Sequence, residues 1–394
     1  MRVGVRIDRS AVAALVALLA SATGPAAQTA TVADTAALRS VLQSTLDAIH
    51  SSGRFPGATA ALSLADGPTI ALAVGYSDSA QHVRMLPNDR MLVGSTGKTF
   101  VAAVALQLAA EGALDLDARV SDYLGDRDWF DRVPNAAEIT VRNLMNHTSG
   151  VMRYEFKDEF VQQLSADPER RWGPEELVAY VLDEQAGFAA GEGWDYSDTN
   201  YILLGMIIEG ITGRDLYDEV EARLLEPLGL SNTIPSDSRR IAGLVQGYAG
   251  PGNPFTGSDA VIGADGRFVI NPQFEWAGGG FASTTSDLAR WAAALYGGGV
   301  LDGEWVAQML DGVPARLGPG ARYGLGVIIQ ETPLGVSYGH SGFFPGYLTQ
   351  MAYFPDHRIA VAVQVNCSVP PSLGRPLGAM VTELAEVAIE QLGR

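Results

Sequence analysis

Of the 27 basic residues in this chain only Lys98 and Lys157 are lysines; the rest are arginines. Arginine stays protonated in proteins, whereas burial or a neighbouring charge can tune a lysine towards neutrality, so a lysine here is a candidate for proton transfer. Lys98 closes the run Ser95-Thr96-Gly97-Lys98. Residues three apart on a helix share a face, which brings the amine within reach of the Ser95 hydroxyl. A serine hydroxyl is a weak nucleophile, and a partly neutral Lys98 could take its proton. Free N–H groups at a helix start would face a developing oxyanion. One short motif also arises by coincidence, so the pair needs company.

Two further stretches supply it. Tyr196-Ser197-Asp198 offers a tyrosine that can relay a proton where a lysine stabilises its phenolate; alone, it reads as a core residue with a satisfied hydroxyl. Gly339-His340-Ser341-Gly342-Phe343 offers a glycine, Gly342, that lets a substrate backbone approach a strand edge. Alone, His340 reads as a structural histidine. Two look-alikes fail on spacing. Gly97-Lys98-Thr99 has Leu92 where a phosphate-binding loop needs its first glycine, and Gly339-His340-Ser341 has Phe343 where a nucleophile elbow needs its last.

Taken in order, S-x-x-K at Ser95, Y-x-N with Asp198 in its third place, and H-x-G at His340 resemble the serine β-lactamase and penicillin-binding-protein family. The branch is the one that holds class C β-lactamases, DD-carboxypeptidases, D-aminopeptidases and related esterases. Leu144 to Gly150, Tyr196 to Gly205, Gly278 to Thr284 and Gly339 to Tyr347 carry the likeness further, over roughly residues 35 to 390. The resemblance implies that Ser95 becomes acylated, that Lys98 and Tyr196 share the proton transfer, and that the backbone N–H groups of Ser95 and Phe343 form the oxyanion hole. It implies that His340 faces a substrate carboxylate or assists Tyr196, with Asp198, Ser341 and Gly342 binding substrate. Asp198 departs from the family's asparagine, whose role is to hold the substrate amide and the lysine. The implied activity is D-Ala-D-Ala carboxypeptidase-like or β-lactamase-like amide hydrolysis without metal or cofactor. A small-ester carboxylesterase and a penicillin-binding scaffold without turnover are the alternatives.

The elements that must position these residues follow from periodicity. Ala33 to Ser51 is an amphipathic helix, and Ala58–Leu64 with Thr69–Val74 is a hairpin. A helix from Ser95 towards Glu111 is too apolar for a surface. Thr140 and Gly173-Pro174 open short helices, and Tyr201–Ile211 and Arg214–Leu228 are two more. Residues 241 to 280 read as long loops. Thr284 to Asp287 fits a capping box before a helix that stops at Gly297. Tyr323–Ile329, Tyr347–Phe354 and Ile359–Val365 are strands, and Leu377–Leu392 closes the chain as a helix. The expected fold is α/β, an antiparallel sheet flanked by helices from both termini, plus an all-helical domain. Residues 31–89 and 276–394 would form the α/β part, and 90–275 a mainly helical part with loops.

Composition narrows the partners. The chain has 394 residues with a formal charge of -18, which argues against a nucleic-acid surface. One cysteine, Cys367, excludes an intrachain disulfide and a cysteine-based zinc site. His50, His82 and His357 lack metal-ligand spacing and are expected on the surface, and His147-Thr148-Ser149-Gly150 reads as a structural turn near the site. Arg2, Arg6 and Arg9, an apolar run from Ala11 to Ala20 and small residues after it read as a signal peptide over 1–27. The apolar run falls short of a membrane span. The expected setting is periplasmic or secreted, with a small-molecule or peptide substrate and no stable span after cleavage.

Overall fold

A computed structural model describes residues 32–64, 67–253 and 255–393, so the expected signal peptide lies outside the described residues. Apolar residues recur every three or four places in the Val32–Ser52 helix, and Leu38, Leu42, Leu46 and Ile49 make its buried stripe. The hairpin follows as β1 (Gly57–Leu64) and β2 (Thr69–Asp78), with β3 (Val83–Arg84) at its far edge. Short strands β4 (Met91–Leu92), β5 (Ile234–Pro235) and β6 (Phe281–Ser283) form a separate three-stranded sheet in the order β4-β6-β5. The chain then returns to the main sheet through β7 (Val313–Pro314), β8 (Arg322–Tyr323), β9 (Ile328–Thr332), β10 (Gly335–Phe344), β11 (Tyr347–Phe354) and β12 (Ile359–Val365). The main sheet has nine antiparallel strands in the order β3-β2-β1-β12-β11-β10-β9-β8-β7. Its centre joins both ends of the chain, with Ala58 opposite Val365 and Leu64 opposite Ile359.

Alternation along those central strands explains the layers, because successive side chains point to opposite faces. Ile359, Val361, Val363 and Val365 pack with Leu62, Leu64 and the helices Val32–Ser52 and Leu377–Leu392. Ala61, Ala360 and Ala362 face the other way, where the Thr285–Tyr296 helix lies on the sheet. Small residues on that face let the helix approach closely. Between β4 and β6 the regular elements, β5 apart, are helices joined by long loops, and the Lys98–Ala110 helix is buried on every side up to Leu106. No helix among the described residues is long and apolar enough to cross a membrane.

The structure departs from the expectations in four places. The strand expected over Tyr323–Ile329 is broken at residues 324–327, which separate β8 from β9. Ser95 lies in a 3-10 turn, Gly94–Gly97, and the α-helix begins only at Lys98. The third motif lies within a ten-residue strand, β10, whose Gly335, Gly339 and Gly342 mask its pattern. Thr284 does cap its helix, accepting a hydrogen bond from the Asp287 N–H at 3.3 Å, but the Asp287 carboxylate turns to the Asn232 N–H instead of closing a box.

Candidate active site

The nucleophile turn is set by close glycine packing. Gly94 adopts φ +52, and a Cβ there would lie 2.4 Å from the Phe343 carbonyl oxygen. A Cβ on Gly342 would lie 1.8 Å from the Val93 carbonyl oxygen. Only a bare backbone on both sides lets β10 lie against the turn, and this brings the Ser95 and Phe343 backbones together.

Lys98 extends from the first turn of its helix at 0% side-chain exposure. Its Nζ donates to Ser95 Oγ at 3.1 Å, to the Gly278 carbonyl and to the Asp198 carboxylate. All three ammonium hydrogens thus have acceptors. Asp198 opens the Asp198–Thr212 helix and carries a second ion pair, with Arg153 Nη2 at 3.1 Å from Oδ2. The Arg153 Nε contacts Glu155. Burial alone would lower the Lys98 pKa, but Asp198, with Tyr196 and Glu275, holds it well above the usual lysine range. Burial would raise Asp198, yet the Lys98 charge, the Glu155 hydrogen bond and Arg153 keep it well below the usual carboxylate range. Burial and the Asp198 charge raise Glu155 well above its ordinary value, so within this pair Asp198 is the ionised acid. Burial, reinforced by Asp198, pushes Glu275 up to about 8. The resting Lys98 is therefore an ammonium, where its spacing had suggested a partly neutral amine.

Tyr196 places its ring 5.0 Å from Lys98 Nζ, and its buried hydroxyl makes no well-formed hydrogen bond. Burial raises its pKa, opposed by the Lys98 charge and by the neighbouring Ser95 and Lys98 groups. His147, at φ +62, lies with its ring tilted 40° to that of Tyr196 at 4.2 Å and accepts hydrogen bonds through Nδ1 from the Ser197 N–H and the Asn200 amide. The turn that holds it thus forms the floor under Tyr196.

His340 and Ser341 sit otherwise than the resemblance implies. His340 is 1% exposed, its Nδ1 lies 2.6 Å from the Ser341 carbonyl and its Nε2 lies 2.8 Å from the Tyr323 hydroxyl. A carbonyl only accepts, so Nδ1 carries the proton and Nε2 accepts from Tyr323. Burial, with the Lys98 charge, pushes the His340 pKa down to about 3. The ring is neutral and enclosed, so it offers no charge to a substrate carboxylate. Ser341, one residue on, points to the sheet's other face, where it lines a cavity of about 400 Å³ with Gln350, Val381 and Thr382. Strand alternation alone sends it there. Gly342 stays against the nucleophile turn.

Four partners of this site were not singled out from the sequence: Arg153, Glu155, Glu275 and Tyr323. Nothing local marks them, apart from the opposite charges of Arg153 and Glu155 at a two-residue spacing. Of the remaining histidines, His82 is exposed. His50 is half-buried, with Nε2 3.1 Å from the Phe55 carbonyl.

Comparison with known proteins matches residues 38–384 to the Beta-lactamase family model. The chain is 27% identical to Penicillin-binding protein 4* of Bacillus subtilis (strain 168), over 72% of this chain and 62% of that protein. It is 28% identical to a D-aminopeptidase of Cereibacter sphaeroides, over 82% of this chain and 59% of the relative. It thus spans about six-tenths of the length of these curated relatives. Among solved structures, a D-stereospecific amidohydrolase from Streptomyces sp. is similar at TM-score 0.73 and 28% identity, over 88% of this chain and 97% of that one. The D-amino acid amidase of Ochrobactrum anthropi SV3, complexed with L-phenylalanine amide, shares the fold at TM-score 0.75 and 24% identity, over 91% and 99% of the two chains.

Proposed function

The chain belongs to the β-lactamase family, and from that membership we propose that it is a serine hydrolase that opens amide bonds through an acyl-enzyme on Ser95. The observation that carries the reading is the 3.1 Å contact between Lys98 Nζ and Ser95 Oγ, with the Tyr196 hydroxyl buried beside both. The amide class is supported by relatives named D-aminopeptidase and D-stereospecific amidohydrolase.

The proton balance follows from the charges. Lys98 is an ammonium and burial keeps the resting Tyr196 a phenol, so the pair first loses one proton to solvent; with Lys98 still charged, the acceptor is then the Tyr196 phenolate, which that charge favours. The Ser95 proton passes to Tyr196 Oη as Oγ bonds to the substrate carbonyl carbon. The oxyanion meets the backbone N–H groups of Ser95 and Phe343. Tyr196 returns the proton to the departing nitrogen as the C–N bond breaks, and water then repeats the exchange to release the acid. His340 serves by holding the Ser341 carbonyl, and hence the strand that carries Phe343, in place. The basic, apolar and small segments of the first 27 residues support export to the periplasm or beyond.

Intact mass after exposure to a penicillin or a fluorophosphonate, with turnover of a D-amino-acid amide and of a nitrophenyl ester, tests this. One adduct per chain on Ser95, absent in Ser95→Ala, is expected, together with amide turnover. An adduct on Ser341 or Ser149 would overturn the assignment. Acylation without turnover would make the protein a scaffold.

A further inference from the structure

The charged network behind Ser95 is unevenly exposed. Side-chain exposure is 0% for Lys98, 9% for Asp198 and 8% for Glu155, but 33% for Arg153. Both Asp198 oxygens are occupied, one by Lys98 and one by Arg153. Glu155 spends Oε1 on Arg153, and its Oε2 is buried. An incoming group therefore meets no acidic atom of this network. It meets arginine. Arg153 uses Nε on Glu155 and Nη2 on Asp198, and among the described residues its Nη1 has no hydrogen-bond partner.

The surroundings fix that free edge. The guanidinium carbon lies 4.4 Å from the Phe156 ring centre and 5.3 Å from that of Tyr196, so rings of both residues hold it. Phe156 is 55% exposed and leans on Phe255 at 6.0 Å. On the β10 side Phe343 is 44% exposed. The mouth beside Ser95 thus offers two open aromatic rings and one cation with unused donors. A planar fork held in one orientation suits a planar, two-oxygen acceptor.

Resting on the acyl-enzyme reading above, we propose that Arg153 is the receptor for a carboxylate carried by the substrate, with Phe156 beside it as an apolar wall. Asp198 and Glu155 act on it as positioning residues: they aim the guanidinium and leave one edge open. This moves anion recognition from the third motif, where His340 is neutral and enclosed, to the helical side of the site. The enzyme then selects anionic over neutral amides of equal size.

Matched substrate pairs test it. One pair carries the charge on the acyl side, N-succinyl- against N-acetyl-D-phenylalanine 4-nitroanilide. The other carries it on the leaving side, N-acetyl-D-alanyl-D-alanine against its C-terminal amide. Wild type should prefer the charged member of one pair by about tenfold in kcat/KM, as a partly exposed charge-assisted hydrogen bond supplies. Raising the salt should erode that preference while leaving the neutral member unmoved. Arg153→Met should bring the ratio to near one, and Arg153→Lys should keep part of it. Because Arg153→Met also disturbs Asp198, Phe156→Ala provides a second variant that leaves both ion pairs in place; its ratio should fall by a few-fold. An unchanged ratio in Arg153→Met, or a wild-type preference for neutral or free-amine substrates, would overturn the proposal. Fluorophosphonate labelling of Ser95 reads the hydrolase assignment separately, since that probe carries no carboxylate.

Discussion

Asp198 decides the state of the nucleophile's partner. An asparagine in its place would leave Lys98 and Arg153 without their shared anion, and removing one member of a buried pair costs about 3–5 kcal/mol. Asp198→Asn should therefore be markedly less stable at neutral pH. The Tyr196 pKa should fall as the Asp198 charge that raises it goes, so the alkaline rise of the acylation rate should move to lower pH. Pre-steady-state acylation across pH 6 to 10 reads this, and an unmoved profile would mean that Tyr196 does not govern the step. Glu275 makes a second, opposite statement about pH. Its folded pKa of about 8 lies above the ordinary 4.5, so between those values the folded state holds a proton that the unfolded state has lost. Stability then falls as pH rises through that window, by up to about 1.4 kcal/mol per pH unit. Glu275→Gln removes the slope. Its melting temperature should gain on wild type progressively from pH 5 to 8 and level off beyond. A constant difference across that range would place the Glu275 proton elsewhere.

At the scale of elements, the catalytic geometry depends on how closely β10 approaches the Gly94–Gly97 turn. The atom that a Gly342 side chain would meet is the Val93 carbonyl oxygen at 1.8 Å, part of a backbone that cannot rotate away. Gly342→Ala should cost about 1–3 kcal/mol by overpacking and slow Ser95 labelling sharply, because the Phe343 N–H moves with the strand. Gly210 supplies the contrast: it lies inside the Asp198–Thr212 helix, and a Cβ there meets nothing within 4 Å. Gly210→Ala should stabilise by about 0.5–1 kcal/mol and leave labelling untouched. Urea unfolding and labelling rates on the two variants separate the effects. Equal labelling rates would show that β10 does not set the oxyanion geometry.

For the whole molecule, the Thr285–Tyr296 helix lies between the main sheet and the Lys98–Ala110 helix. Its Trp291 stacks on Phe100 at 4.6 Å and donates its indole N–H to Thr99 Oγ1 at 2.8 Å, one residue after Lys98. Trp291→Ala should cost about 3–5 kcal/mol, and Trp291→Phe, which loses the hydrogen bond and some volume, about 1–3 kcal/mol. Because the helix joins the main sheet to the Lys98–Ala110 helix, the alanine variant should also broaden the denaturant transition and lower its slope. Coincident transitions of wild-type steepness in both variants would show that sheet and helix cohere without Trp291.

The helices at residues 32–52 and 377–392, and strands β1, β11 and β12, were legible in the sequence because their apolar periods are long and uninterrupted. The order Ser95, Lys98, Tyr196, Asp198, His340 was legible for a different reason: motifs report which residue types occur and in what sequence. Neither signal carries distance across the fold. The protonation of Lys98 depends on Asp198, 100 residues away, and on Tyr196 and Glu275, which no spacing connects to it. β10 escaped notice because its glycines, needed for close approach, erase the alternation that marks a strand. The enclosure of His340 by Tyr323 and the turning of Ser341 to the far face arose from pairing and burial. Periodicity along a chain reflects which faces are covered; charge states and directions depend on what covers them, and that is settled only when distant segments pack.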